Sequence, residues 1–159
     1  MASGNPEPEA VAVLQQLVGQ KMERARLGIS PTLVLELGAL MRDPTGDERF
    51  EWYLWIKHCS WRVEADGIIV LGSNDDREEA GDVGAKADAA VLDRLASLTV
   101  ESVFLAEPMG DLVIAFSENV VVRTFADQRS VDTYACWQLF TPTDQIVEKL
   151  TDGRLLIAE

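Results

Sequence analysis

Residues 91–116 say again what residues 13–37 have already said, and this restatement constrains the fold more than any other feature. Val91-Leu92-Asp93-Arg94-Leu95 echoes Val13-Leu14-Gln15-Gln16-Leu17 at an offset of 78 residues. At the same offset Glu101 falls on Glu23 and Leu105 on Leu27. One extra residue in the next turn then sets Leu112-Val113-Ile114-Ala115-Phe116 on Leu33-Val34-Leu35-Glu36-Leu37. Trp61-Arg62-Val63 recurs as Trp137-Gln138-Leu139, and each half closes on Asp-Gly and an apolar run, at Asp66-Gly67 and Asp152-Gly153. A chain built this way must form two similar units that bury their apolar faces together.

The periodicities say what each unit contains. Val11, Leu14, Leu17 and Val18 recur at helical spacing, with Glu7 and Glu9 where negative charge favours a helix start and Gly19 as a stop. Residues 21–27 could extend that helix on propensity alone. Their counterpart, residues 99–105, is rich in β-branched and aromatic side chains, so both read as strands. A turn at 28–31, with Pro31 favouring extended backbone before it, leads to a strand at 32–37. The run 49–58 is the most aromatic strand. Alternation puts Phe50, Trp52, Leu54 and Ile56 on one side and Tyr53, Trp55 and Lys57 on the other. Further strands are expected at 59–64, with Trp61 and Val63 inward, and at 68–71.

The segment 73–85 is polar, acidic and Gly-punctuated and reads as a solvated linker; Asp75, Asp76, Glu78 and Glu79 make it an acidic finger for a basic partner. In the second half, residues 86–97 read as a helix with Ala90, Val91, Leu95 and Leu98 near one face, followed by strands at 99–106, 111–116, 119–125 and 131–140. Thr141 before Pro142 looks like a helix start, predicting a short helix over 145–150 before a closing strand at 154–158. With no βαβ alternation, the fold class is α+β: an internally duplicated helix-plus-antiparallel-sheet unit packed with pseudo-twofold symmetry. The expected organisation is a lead-in at 1–8, a first repeat at 9–72, the acidic linker at 73–85 and a second repeat at 86–159, the repeats forming one globular unit.

Few chemistries are available to such a chain. Its formal charge of −13 opposes nucleic-acid phosphates and anionic lipid and favours basic partners. No stretch approaches the roughly 20 apolar residues that span a bilayer, and the first nine residues lack the pattern of a secretory signal. Cys59 and Cys136, far apart and outside any Cys-x-x-Cys pair, read as free buried thiols; together these features predict a cytoplasmic protein. His58 is the sole histidine, and alternation turns it away from its neighbour Cys59, so a Cys-His pair is not expected. Asn74-Asp75-Asp76 lacks the spacing of a calcium loop, and no phosphate or dinucleotide loop is present, so neither metal nor cofactor is expected. Trp61 and Trp137, at matching places in the repeats, read as core. Tyr53 and Trp55, with Lys57, read as a surface for a partner or for another copy, because Trp and Tyr dominate binding hot spots.

The order of apolar strand, turn, strand, Trp-Arg or Trp-Gln step, Asp-Gly and apolar strand, carried by Leu33–Leu37, Trp61-Arg62, Asp66-Gly67 and their copies, resembles small bacterial proteins. Some of these are encoded beside polymorphic toxins as immunity proteins. The resemblance implies a non-enzymatic protein that neutralises a partner, and the acidic charge suits a basic one. The rival expectations are a small-molecule or enzymatic site in the cleft between the repeats, and a self-associating structural protein.

Overall fold

The computed structural model describes residues 6–29, 32–127 and 132–159. The first five lead-in residues, Pro31 and Val131 therefore lie outside the described residues. Two helices and eleven strands follow in the order α1 (Pro6–Gln15), β1 (Met22–Leu27), β2 (Leu33–Arg42), β3 (Glu48–Ile56), β4 (Ser60–Ala65), β5 (Ile68–Gly72), α2 (Arg77–Leu95), β6 (Val100–Ala106), β7 (Asp111–Phe116), β8 (Val120–Phe125), β9 (Ala135–Phe140), β10 (Ile146–Leu150) and β11 (Leu155–Ala158). All strand pairings are antiparallel, in a six-stranded sheet β1-β2-β3-β9-β10-β11 and a five-stranded sheet β5-β4-β8-β7-β6. The fold is α+β, as the absence of βαβ alternation requires.

Each sheet draws strands from both halves of the chain. Strands β1–β3 join β9–β11 through the β3–β9 pairing, while β4 and β5 cross to the other sheet and join β8. The first strand pair of each half has a similar register. Strand β1 meets β2 at Met22↔Leu37, Arg24↔Glu36 and Leu27↔Leu33, with a bulge between Met22 and Arg24. Strand β6 meets β7 at Val100↔Phe116, Ser102↔Ala115 and Leu105↔Leu112, with its bulge at the corresponding step. Between these strands a single bridge joins Lys21 to Thr99. Around it Gly19 N–H donates to Val100 O at 2.8 Å and Ser97 N–H to Met22 O at 2.8 Å, while Met22 N–H reaches Leu98 O at 2.7 Å and Val100 N–H reaches Gln20 O at 2.9 Å.

The inward residues of both sheets belong to one contiguous core. Leu35, Trp52, Leu54, Ile56, Trp137 and Leu139 come from one sheet, and Trp61, Val63, Ile114, Phe116 and Val122 from the other. Helix α1 adds Ala10, Val13 and Leu14 to that core and packs on β10, β11 and β6; α2 adds Leu95 and packs on β1 and β5. Each helix thus closes an edge of both sheets, and neither described helix packs on the outer faces of β2, β3 and β9. The burial follows the expected stripes except at their ends, where Val18 and Ala90 are exposed. Neither described helix is long and apolar enough to cross a membrane.

Two expectations need correction. The helix expected at 145–150 is strand β10. Thr141 N–H donates to Gln145 O at 3.0 Å and Asp144 takes φ +62°, closing a hairpin in place of a helix start. The alternation that puts Val147 at 0% exposure then decides the segment by burial. The loop expected at 73–85 is helical from Arg77 onward, because Asp76 caps it by accepting from Glu79 N–H at 2.9 Å. Gly81, at φ 58° and ψ −144°, kinks the helix and hides its period in the sequence.

Candidate functional site

The outer face of the six-stranded sheet, which no described helix covers, brings Tyr53, Trp55 and Phe140 together. Two cross-strand rows run over it. One row is Arg26, Val34, Trp55, Gln138, Glu148 and Leu156; the other is Arg24, Glu36, Tyr53, Phe140, Ile146 and Ala158. Alternation builds both rows: Trp52, Leu54 and Ile56 are 3%, 0% and 0% exposed on the inner side, so Tyr53 and Trp55 must point outward. Both are half-buried by their neighbours on the same face.

The face is pre-ordered. Tyr53 meets Phe140 edge-to-face with ring centroids 5.7 Å apart, an arrangement that contributes about 0.5–1.5 kcal/mol beyond area burial. Arg26 Nη2 donates to Tyr53 Oη at 3.2 Å. Lys57 Nζ stands 3.8 Å over the Trp55 ring and donates to Gln138 Oε1 at 2.9 Å, while Gln138 Nε2 donates to Glu148 Oε2 at 2.8 Å. Burial pulls the Lys57 ammonium below the ordinary lysine range, with the charge of Glu148 acting the other way. Arg24 pairs with the buried Glu36 through two hydrogen bonds, one of them Nη2 to Oε1 at 2.9 Å. A shallow cleft of about 270 Å³ opens between Arg49, Phe50, Glu51, Tyr53, Trp55 and Phe140.

Two members of this cleft change the sequence reading. Phe50, expected on the inner side, is half-buried and lines the outer cleft. The β2–β3 register shifts between Leu37 and Leu40, at Gly38, whose φ of +85° suits glycine, and the alternation read backwards from Trp52 breaks there. Phe140 was not singled out from the sequence. Its signal was the Trp137 strand itself, in which Trp137 and Leu139 point inward and Phe140 must point out.

The acidic residues lie elsewhere, on the other sheet's side. Asp75 Oδ2 accepts from Gly72 N–H at 2.9 Å and Asp76 caps α2, so half of the expected acidic finger serves its own turn. Glu78 and Glu79 remain exposed in the first turn of α2. Asp75 instead borders a second cleft of about 450 Å³, with Trp61, Arg62, Ile69, Phe125 and Asp127, where β4 of the first half meets β8 of the second. There Arg62 Nε and Arg123 Nε reach Glu64 Oε2 at 2.6 and 2.8 Å. Burial alone would raise the Glu64 carboxyl, but the hydrogen bonds and charges of the two arginines outweigh it and hold it below the usual range.

His58 and Cys59 do part. The His58 ring stacks on Tyr134 at 4.9 Å, whereas the Cys59 thiol turns inward, donating to Cys136 O at 3.6 Å. Its contact with Cys136 and its burial push the Cys59 thiol far above the ordinary thiol range. Among the described residues no three His, Cys, Asp or Glu side chains gather as metal ligands. The chain matches no protein-family model, no curated protein and no solved structure.

Proposed function

We propose that this chain is a non-catalytic protein-interaction module that docks its partner on the outer face of the six-stranded sheet. The observation that carries the reading is the placement of Tyr53, Trp55 and Phe140 side by side on a face that no described helix covers. Rigid aromatic side chains held by neighbours supply contact area at little entropy cost, the property of binding hot spots. The matching registers around the Lys21–Thr99 bridge support a scaffold made of two copies of one unit on a pseudo-twofold axis. Under that symmetry Tyr53 and Trp55 correspond to Val121 and Arg123 of β8, each opposite the equivalent β4 residue. The aromatic pair therefore belongs to one face alone, as a specialised surface would. An immunity-like, cytoplasmic role fits the overall charge of −13.

A photo-crosslinking phenylalanine analogue at position 53 tests this reading in the native host. It is expected to yield one discrete adduct, while the same analogue at Phe104, which is 48% exposed on the other sheet, yields none. Equal labelling from both positions would remove the reading.

A second reading, a small-molecule site where the halves meet, is favoured by the 450 Å³ cleft, which lies within the size range of ligand pockets. Its carboxylates Asp75 and Asp127 have no cation partner among the described residues, and Phe125 and Ile69 supply apolar wall. Benzamidine is expected to shift the amide resonances of Ser60, Ser73 and Asp127, with neutral benzamide binding more weakly. Indistinguishable responses to the two compounds would end that reading.

A further inference from the structure

We infer that the occupant of the aromatic face is a second copy of this chain, docked about a twofold axis that runs along β3. The inference rests on the docking role proposed for that face and adds the identity of the partner. Its basis is the order of charges across the sheet. Along the row through Trp55, the cation Arg26 stands on edge strand β1 and the anion Glu148 on β10, two strands away from β3 in either direction. Neither has an ion-pair partner among the described residues: Arg26 donates to Tyr53 Oη and Glu148 accepts from Gln138.

A twofold axis in the plane of the contact and along β3 reverses the strand order of the facing copy. Trp55 then meets Trp55, Lys57 meets Lys57, and Arg26 meets Glu148, twice over. Each unpaired charge gains an opposite charge from the other copy, which is the self-complementarity an isologous contact demands. A basic surface on the same face would oppose Arg24, Arg26 and Lys57 to like charge, whereas the twofold sets only Lys57 against its own copy. A basic partner would be drawn instead to the exposed carboxylates at the start of α2.

The face also bounds the strength of the contact. About an axis on β3 the strands from β1 to β10 face each other and β11 overhangs; strands at about 4.8 Å and six residues at about 3.3 Å then overlap over roughly 24 by 20 Å, or about 480 Å² per copy. A total of about 950 Å² falls in the size class of weak, transient contacts, so the dimer should be weak and concentration-dependent. The two sheets would stack face to face at about 10 Å, as layers do in a sandwich.

Sedimentation equilibrium of the full chain from about 1 μM to about 500 μM should show the mass rising from one chain to two, with a dissociation constant in the micromolar range. Trp55→Ala is expected to abolish the rise. Arg26→Glu and Glu148→Arg should each weaken association by about tenfold, and the double variant R26E/E148R should restore it to within about threefold of the original. Circular dichroism melts confirm that each variant is folded before its mass is read. A chain that stays monomeric throughout, or a double variant no tighter than its parents, overturns the inference. Monomeric behaviour combined with a position-53 adduct of another mass would leave the docking face standing and remove only the second copy. Dimers that persist in Trp55→Ala would place the contact elsewhere and overturn both.

Discussion

Trp137→Ala and Trp61→Ala should each lower the unfolding free energy by roughly 3–5 kcal/mol, the range for deleting a large buried aromatic. Both rings are 1% exposed and belong to the one core. Each stands on a strand where the halves meet: Trp137 faces Ile56 across β3–β9, and Trp61 faces Thr124 across β4–β8. Neither cavity can close by sliding a neighbour, because the flanking strand is hydrogen-bonded on both sides. The indole N–H of Trp137 finds no acceptor among the described residues, and such a group costs about 1–3 kcal/mol when desolvated. Trp137→Phe removes that burden along with part of the ring, so it should cost well under half as much as the alanine variant. Urea melts read both effects. An alanine variant within about 1 kcal/mol of the parent would show that its ring is not part of the tight core.

Much of the strand pattern was legible in the sequence because burial alternates along β4, β8 and the second half of β3. From Trp52 to Lys57 each odd–even assignment holds, and this alone puts Tyr53 and Trp55 on the outer face. Comparison of the halves corrected propensity where the two disagreed: residues 22–27 have helix-forming side chains, yet they pair with β2 as strand β1. Reading failed where a local signal competed with pairing partners distant in sequence. Thr141-Pro142 resembles a helix start, but the turn it makes leads into a strand placed between β9 and β11. The glycines at 81 and 84 disguised a helix whose cap, Asp76, was in plain view as an acidic residue. The Phe50 error has the same origin, since a bulge near Gly38 leaves no mark on the alternation of β3 itself. The crossing of β4 and β5 into the second sheet was least legible, because nothing local distinguishes a strand that pairs within its half from one that pairs outside it.

That crossing leads to the largest expected effect. Separated at the join, fragments of residues 1–73 and 74–159 should each lack a cooperative unfolding transition, and mixing them should restore one. The first fragment keeps α1 and β1–β5, but β3 loses β9 and β4 loses β8, so two long strands present unpaired edges. The second fragment loses the same partners from the other side. Each fragment keeps only part of each sheet: Leu54 and Ile56 lose Leu139 and Trp137 beside them, and Trp61 and Val63 lose Thr124 and Val122. A domain's net stability is only about 5–15 kcal/mol, and the burial lost here exceeds that margin, because each half gives up part of both walls of the core and the strands that complete its sheets. Recombination should be second-order in fragment concentration, and the restored species should recover the fluorescence of the intact chain's buried tryptophans. A fragment of residues 1–73 that melts cooperatively alone would mean that β4 and β5 can fold back on β1–β3, the arrangement of two self-contained units that the β3–β9 and β4–β8 pairings oppose.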